Sequence, residues 1–133
     1  AKGRQRWQAT ALQAAKQARR ARVPEVEEVR DTRALVDWVG KTVQNGGVVL
    51  VLHEEARTPI STAMESMRLP APGSAPLVLA VVVGPEGGIS PEETAALEAA
   101  GAMTVRLGPH VMRTASAGPA ALAVLAHASG LWE

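Results

Sequence analysis

Three short stretches gather the residue types that could do chemistry: "LHEE" at 52–55, "GPEGG" at 84–88 and "LGPHVMRT" at 107–114. In the second, the apolar run of "VVVGPEGGIS" breaks at glycines and a helix start follows. A glycine-rich turn between a strand and a helix often cradles a phosphate. This one matches neither GxGxxG nor GxxxxGK[ST], and no acid stands where a dinucleotide ribose would need one. Glu86, in the middle of the turn, would repel a phosphate. Glycines beside one carboxylate suit a cationic or neutral ligand that needs close backbone approach. The plain structural alternative is a tight strand-to-helix turn and nothing more.

Other reactive side chains give weaker patterns. His53, His110 and His127 have no metal-ligand spacing and "HEEA" is not HExxH, so no metal site is expected. Ser116 in "TASAG" lacks the leading glycine of a nucleophile elbow, which makes capping the better reading. Arg113 stands just before a helix in a loop with few other charges. There it would meet a phosphate or polarise a base; an exposed arginine is the equal alternative.

The elements that must position these residues alternate. Residues 4–20 read as a helix with Trp7, Ala11, Ala14, Ala15 and Ala18 on one stripe. "EVEEV" at 25–29 alternates like a short strand. A helix follows from a cap at Asp31 or Thr32 to the stop at Asn45-Gly46-Gly47. The run 48–56 opens as a buried strand, a short helix lies around 60–67, and 77–84 is a second buried strand. Ser90, Pro91 and Glu93 form a capping box with a first-turn proline, and Gly101 is placed to close that helix in the left-handed conformation. A strand at 103–108 precedes an Ala/Leu-rich helix at 113–130, which Pro119 is expected to interrupt. The pattern predicts an α/β fold, a mostly parallel sheet flanked by helices. In such sheets ligands sit beyond the carboxyl ends of the strands, where the three stretches fall.

Length and composition set bounds. The 133 residues make one domain's length, with no Cys, Phe or Tyr and only three Trp, so Val, Leu and Ala must build the core. No apolar run reaches membrane-span length and no signal peptide is visible, so a cytoplasmic location is expected. The net charge of +1 hides an asymmetry. Residues 1–23 hold Lys2, Arg4, Arg6, Lys16, Arg19, Arg20 and Arg22 without one acid, on an otherwise acidic chain. A solvated helix face is the common meaning of such a run, but the missing acids favour a nucleic-acid partner. The chain opens with Ala inside a helical pattern and is expected to be a piece of a longer protein.

Together, "VVVGPEGGISPEE", "VRLGPHVMRTASAGPAALAVL" and "QARRARVPEV" resemble the RsmE family, the ribosomal RNA uridine N3-methyltransferases of the SPOUT (α/β-knot) class. The resemblance covers nearly the whole chain. It implies a trefoil knot in the C-terminal part, a homodimer and a single SPOUT-like domain over 1–133, without the family's N-terminal PUA-like barrel. It implies S-adenosylmethionine as cofactor, held by Leu52, His53, Gly84, Pro85, Glu86, Gly87, Gly88, Leu107, Gly108, Val111 and Met112. The substrate would be a uridine of 16S rRNA in the small ribosomal subunit, with Arg4, Arg6, Lys16, Gln17, Arg19, Arg20 and Arg22 as RNA contacts. Arg113 is the first catalytic candidate, with Arg20 and Glu86 behind it. The family's Arg-Thr-Glu-Thr reads "RTAS" here, with Ala115 at the glutamate position, and its Glu-Gln-Ser reads "KQA", with Lys16 and Ala18. Two other readings remain open: a knotted RNA-binding or dimerisation module with weak or no activity, and a nucleotide-binding α/β domain of another class.

Overall fold

The computed structural model describes residues 2–66, 78–109 and 113–129, in two units, residues 1–33 and 34–133. In the first unit, α1 (Lys2–Gln17) is a helix with little to bury: only Ala15 is inside, and Trp7 of the expected apolar stripe is 71% exposed. The chain then reverses. The N–H of Arg19 bonds to the carbonyl of Lys16 at 3.2 Å and that of Arg20 to the carbonyl of Ala15 at 2.9 Å. These two bonds make a Schellman motif with Arg19 in its left-handed position, at φ 53°.

The segment 25–29 is not a strand. It runs back along α1, and helix side chains rather than a neighbouring strand serve its backbone. The Gln8 amide donates to the Pro24 carbonyl at 2.9 Å and accepts the Val26 N–H at 2.7 Å. Arg4 Nε donates to the Val26 carbonyl at 2.7 Å and lies 3.6 Å from a Glu28 carboxylate oxygen. Alternation in "EVEEV" therefore recorded an exposed extended segment, because period-two patterning reports side-chain direction and not the partner of the backbone. Gln8→Ala removes two of these bonds at once and is expected to free the segment at about 1–2 kcal/mol. Faster amide exchange at Val26, with the second unit unchanged, is the measurement.

The second unit is built on β1 (Val48–Leu52). Two further strands, β2 (Leu79–Val82) and β3 (Met103–Val105), pair with it in parallel on opposite sides, giving the order β2-β1-β3. The register sets Val49 opposite Ala80 and Val51 opposite Thr104. The central strand reads as unbroken Val and Leu because both its faces are covered. Val48, Leu50 and Leu52 pack with α3 (Ile60–Ser66) and α5 (Thr114–Ala128), through Ile60, Ala63, Ala121 and Leu125. Val49 and Val51 face the other way, onto Val39 of α2 (Thr32–Gln44) and Leu97 of α4 (Pro91–Ala99). Burial of each of these Val, Leu and Ile side chains contributes roughly 1.5–3 kcal/mol.

Local signals explain the boundaries. The helix α2 opens at Thr32, leaving Asp31 at the N-cap position, and closes with Gly46 at φ 85°. Ser90 Oγ accepts the Glu93 N–H at 3.1 Å, and Pro91 takes the first helical position of α4. Gly101, at φ 112°, ends that helix in the expected left-handed conformation. Pro119 does not interrupt α5, which runs through it. The proline falls in the second turn, where its missing N–H leaves one helical carbonyl, that of Ala115, without its donor. Ala115 is exposed, so water can serve that carbonyl. The calls at 67, 77, 110–112 and 130 lie outside the described residues.

Candidate functional site

Parallel pairing brings the carboxyl ends of all three strands to one edge of the sheet, and a cleft of about 410 Å³ opens there. The end of β1 contributes Leu52, His53 and Glu54; the turn after β2 contributes Val83 to Ile89; the end of β3 contributes Arg106 to Pro109. The start of α5 closes it with Arg113, Thr114 and Ala117. Every described residue expected to hold the cofactor lines this cleft: Leu52, His53, Gly84, Pro85, Glu86, Gly87, Gly88, Leu107 and Gly108. Val111 and Met112 lie outside the described residues. Of the catalytic candidates, Arg113 and Glu86 line the cleft, whereas Arg20 belongs to the first unit.

Hydrogen bonds fix the walls. The Gly88 N–H bonds to the Pro85 carbonyl at 2.8 Å, closing a β-turn over Glu86 and Gly87, and Gly88 leaves it at φ 80°. Gly84 faces Ile89 so closely that a Cβ would come within 2.7 Å of its Cγ1. Thr114 Oγ1 donates to the Gly84 carbonyl at 3.2 Å, which ties the first turn of α5 to the glycine turn. On the opposite wall, His53 donates its N–H to the Val105 carbonyl at 3.0 Å, and its Nδ1 accepts the Glu55 N–H at 3.1 Å. The backbone of Arg106 is held on both sides: its N–H bonds to the Thr58 carbonyl and its carbonyl accepts the Ile60 N–H.

The lining pairs two carboxylates, Glu54 and Glu86, with two guanidiniums, Arg106 and Arg113, among apolar Leu52, Val83, Ile89 and Leu107. Around Gly87, Gly88 and Gly108 an added Cβ would meet nothing within 4 Å, so the backbone there is open to a ligand's close approach. A ligand that carries both positive and negative groups matches such a set; a polyphosphate does not, since Glu86 occupies the turn that would have to hold it. S-adenosylmethionine, a sulfonium with an amino-acid end, is such a ligand. Sequence reasoning missed Arg106 and did not single out Glu54. Both stand at strand ends, Arg106 directly after Val105 and Glu54 two residues after Leu52, and a charged residue just past a strand is the signal that marks them.

Arg113 is the N-cap residue of α5, with φ −60° and ψ 146°, and its side chain makes no capping bond. The candidate RNA residues Arg6, Lys16, Gln17, Arg19, Arg20 and Arg22 are exposed, while Arg4 is half-buried and engaged with Val26 and Glu28. Among the described residues no cluster of three or more His, Asp or Glu could hold a metal ion, and no helix is long and apolar enough to cross a membrane.

Comparison with known proteins points the same way. The chain is similar to the ribosomal RNA small subunit methyltransferase E of Mycobacterium bovis, at 46% identity over 132 residues, covering 99% of this chain and 47% of that protein. The Bacillus subtilis protein of the same name is 31% identical, with 98% and 49% covered. A crystal structure of ribosomal RNA small subunit methyltransferase E from Neisseria gonorrhoeae, bound to S-adenosyl methionine, superposes with a TM-score of 0.78 at 27% identity, over 98% of this chain and 48% of that one. The chain thus spans about half the length of the curated relatives it matches. The RNA methyltransferase domain profile matches residues 1–126, and the chain belongs to that family.

Proposed function

We propose that this chain binds S-adenosylmethionine in the cleft and carries out methylation of N3 of a uridine in small-subunit ribosomal RNA, as a cytoplasmic homodimer. The observation that carries the reading is the convergence of the three strand-end loops on one cleft whose glycine turn holds a carboxylate and no cation. When bound, the cofactor supplies an electrophilic methyl group on a sulfonium. Glu86 and Glu54 give the cleft the negative field that tolerates that charge. The open backbone at Gly87 and Gly108, and the Gly88 carbonyl, would offer hydrogen bonds to a flat heterocycle. N3 of uridine holds its proton about as tightly as a phenol does. The proton must therefore pass to Glu86 or to water as the methyl group leaves the sulfonium, and the chain must favour the anion that forms. Arg113, at the cleft wall and uncommitted to a cap, is placed to stabilise charge on the uracil oxygens. Positioning of the base supplies much of the remaining rate.

The exposed Leu122 on α5, a large apolar side chain left in the open, supports a surface shared between two copies. The knot is likewise part of the proposal: α5 packs against β2 although it follows β3, on the far side of β1. Calorimetric titration of the chain with S-adenosylhomocysteine and with ATP tests the reading. Binding of the first and not the second is expected; tight binding of ATP alone overturns it.

A further inference from the structure

The direction of the Arg106 side chain is set by its neighbours at the end of β3. Val105 and Leu107, on either side of it, both pack into the cluster that joins β1 to α3 and α5. Alternate residues of an extended chain point to opposite faces, so Arg106 points the other way, to the side covered by α2 and α4. The backbone is extended there. Arg106 bridges Pro59 in parallel, its N–H bonds to the Thr58 carbonyl at 2.8 Å, and its carbonyl accepts the Ile60 N–H at 2.9 Å. The residue cannot turn over without breaking both bonds.

The register sets two other cleft residues level with it. Leu52 is paired with Val105 and Val51 with Val82, so one step further His53 stands between Arg106 and Gly84. The three form a row across the edge of the sheet, about 10 Å from end to end at the usual strand spacing. All three line the cleft. At the Gly84 end stand Glu86, in the glycine turn, and Arg113, whose neighbour Thr114 bonds to the Gly84 carbonyl. At the far end the cation is Arg106.

The fold itself makes no use of that cation. Arg106 is half-buried, and among the described residues its guanidinium has no hydrogen bond or ion pair. Glu98 of α4, an acid that meets this face of β3, instead accepts the Thr104 hydroxyl at 2.6 Å. A guanidinium has five donors and no acceptor, so what it lacks is an anion.

We infer that Arg106 binds the carboxylate at the amino-acid end of the cofactor. This rests on the cofactor reading above and deepens it by giving the cleft a direction, with the sulfonium near the Glu86 turn and the carboxylate at the far end of the row. The two guanidiniums then divide two anions between them: Arg113 takes the uracil oxygens and Arg106 the carboxylate. The planar fork of an arginine receives a carboxylate through two parallel hydrogen bonds. Losing Arg106 therefore costs affinity only for ligands that carry that group.

Calorimetric titration of the full 133-residue chain with two ligands tests this. One is S-adenosylhomocysteine. The other is 5′-methylthioadenosine, which keeps the adenosine and the thioether but lacks the amino-acid end. Arg106→Ala is expected to weaken S-adenosylhomocysteine binding roughly 10–100-fold and to leave methylthioadenosine within about twofold of wild type. Retained methylthioadenosine binding also shows that the variant is folded. Arg106→Lys keeps the charge without the fork, and its affinity for S-adenosylhomocysteine falls between the two. An equal loss for both ligands makes Arg106 a wall of the adenosine pocket and overturns the inference. Unchanged S-adenosylhomocysteine affinity in Arg106→Ala also overturns it, and weaker RNA binding by that variant would then assign the guanidinium to a phosphate. A wild-type chain that binds neither ligand overturns the cofactor reading itself.

Discussion

Arg113→Ala is expected to lower the single-turnover rate of methyl transfer to small-subunit RNA by about 10²–10³-fold, with S-adenosylhomocysteine affinity within about twofold of wild type. The residue stands at the N-cap of α5, where Ser, Thr, Asp or Asn would satisfy a helix N–H and add about 1 kcal/mol. A cation beside the positive end of a helix costs about 0.3–1 kcal/mol more. Local structure therefore argues against arginine at this position, and a residue that breaks a local rule at a cleft wall points to function. The tie from Thr114 Oγ1 to the Gly84 carbonyl holds the wall in place, so the substitution should remove charge without moving the backbone. Arg113→Asp sharpens the contrast: melting temperature is expected to rise while transfer is lost. A rate unchanged in Arg113→Ala, or cofactor affinity falling in step with the rate, would defeat the assignment.

Gly47→Ala is expected to destabilise the second unit by about 2–4 kcal/mol, seen as a fall of roughly 10 °C in melting temperature. Gly47 is buried where α2 hands the chain to β1. Its N–H bonds to the Thr42 carbonyl at 2.8 Å, and the next residue, Val48, bonds to the Val78 carbonyl at 2.8 Å. A Cβ at 47 would lie 2.6 Å from Thr42 Cγ2, 2.8 Å from Thr42 O and 3.2 Å from Val78 O. A methyl group can rotate away; two backbone oxygens that define a helix end and a strand register cannot. Thr42→Ser, which deletes that methyl group, should restore only a minor part of the loss in a double-mutant cycle. Full recovery in the double variant would show that the methyl contact alone mattered, and an unchanged melting temperature for Gly47→Ala would show that the turn gives way freely.

The parts of the fold that were legible in the sequence share a cause: one residue type meets one strong local demand. Ser90, Pro91 and Glu93 announced the start of α4, and Gly46 and Gly101 announced two helix ends, because backbone groups at helix ends accept few solutions. The unbroken "VVLVL" announced a strand covered on both faces. The cleft was legible in outline, since a parallel sheet delivers its strand ends to one edge. Three things were not legible. The backbone of 25–29 is served by Gln8 and Arg4, some twenty residues earlier, and no periodicity records such a partner. The continuity of α5 through Pro119 depends on how near the proline lies to an exposed helix end. The fixed place of Arg106 at the cleft depends on Thr58 and Ile60, through a bridge between Pro59 and Arg106 that only the folded chain makes.

The strand order has a consequence for how the chain is made. Synthesis delivers β1 first, yet β1 is the centre of the sheet, and both its neighbours come later, β2 about thirty residues on and β3 about fifty-five. Until they arrive, five consecutive Val and Leu residues emerge with both strand edges unpaired, the kind of segment that recruits other nascent chains. The residues bracketing it act as guards: Gly46 and Gly47 break the extended run on one side, and Glu54 and Glu55 place two negative charges on the other. Glu54 thereby serves twice, first keeping a vulnerable stretch solvated on the ribosome and later lining the cleft that the finished sheet creates.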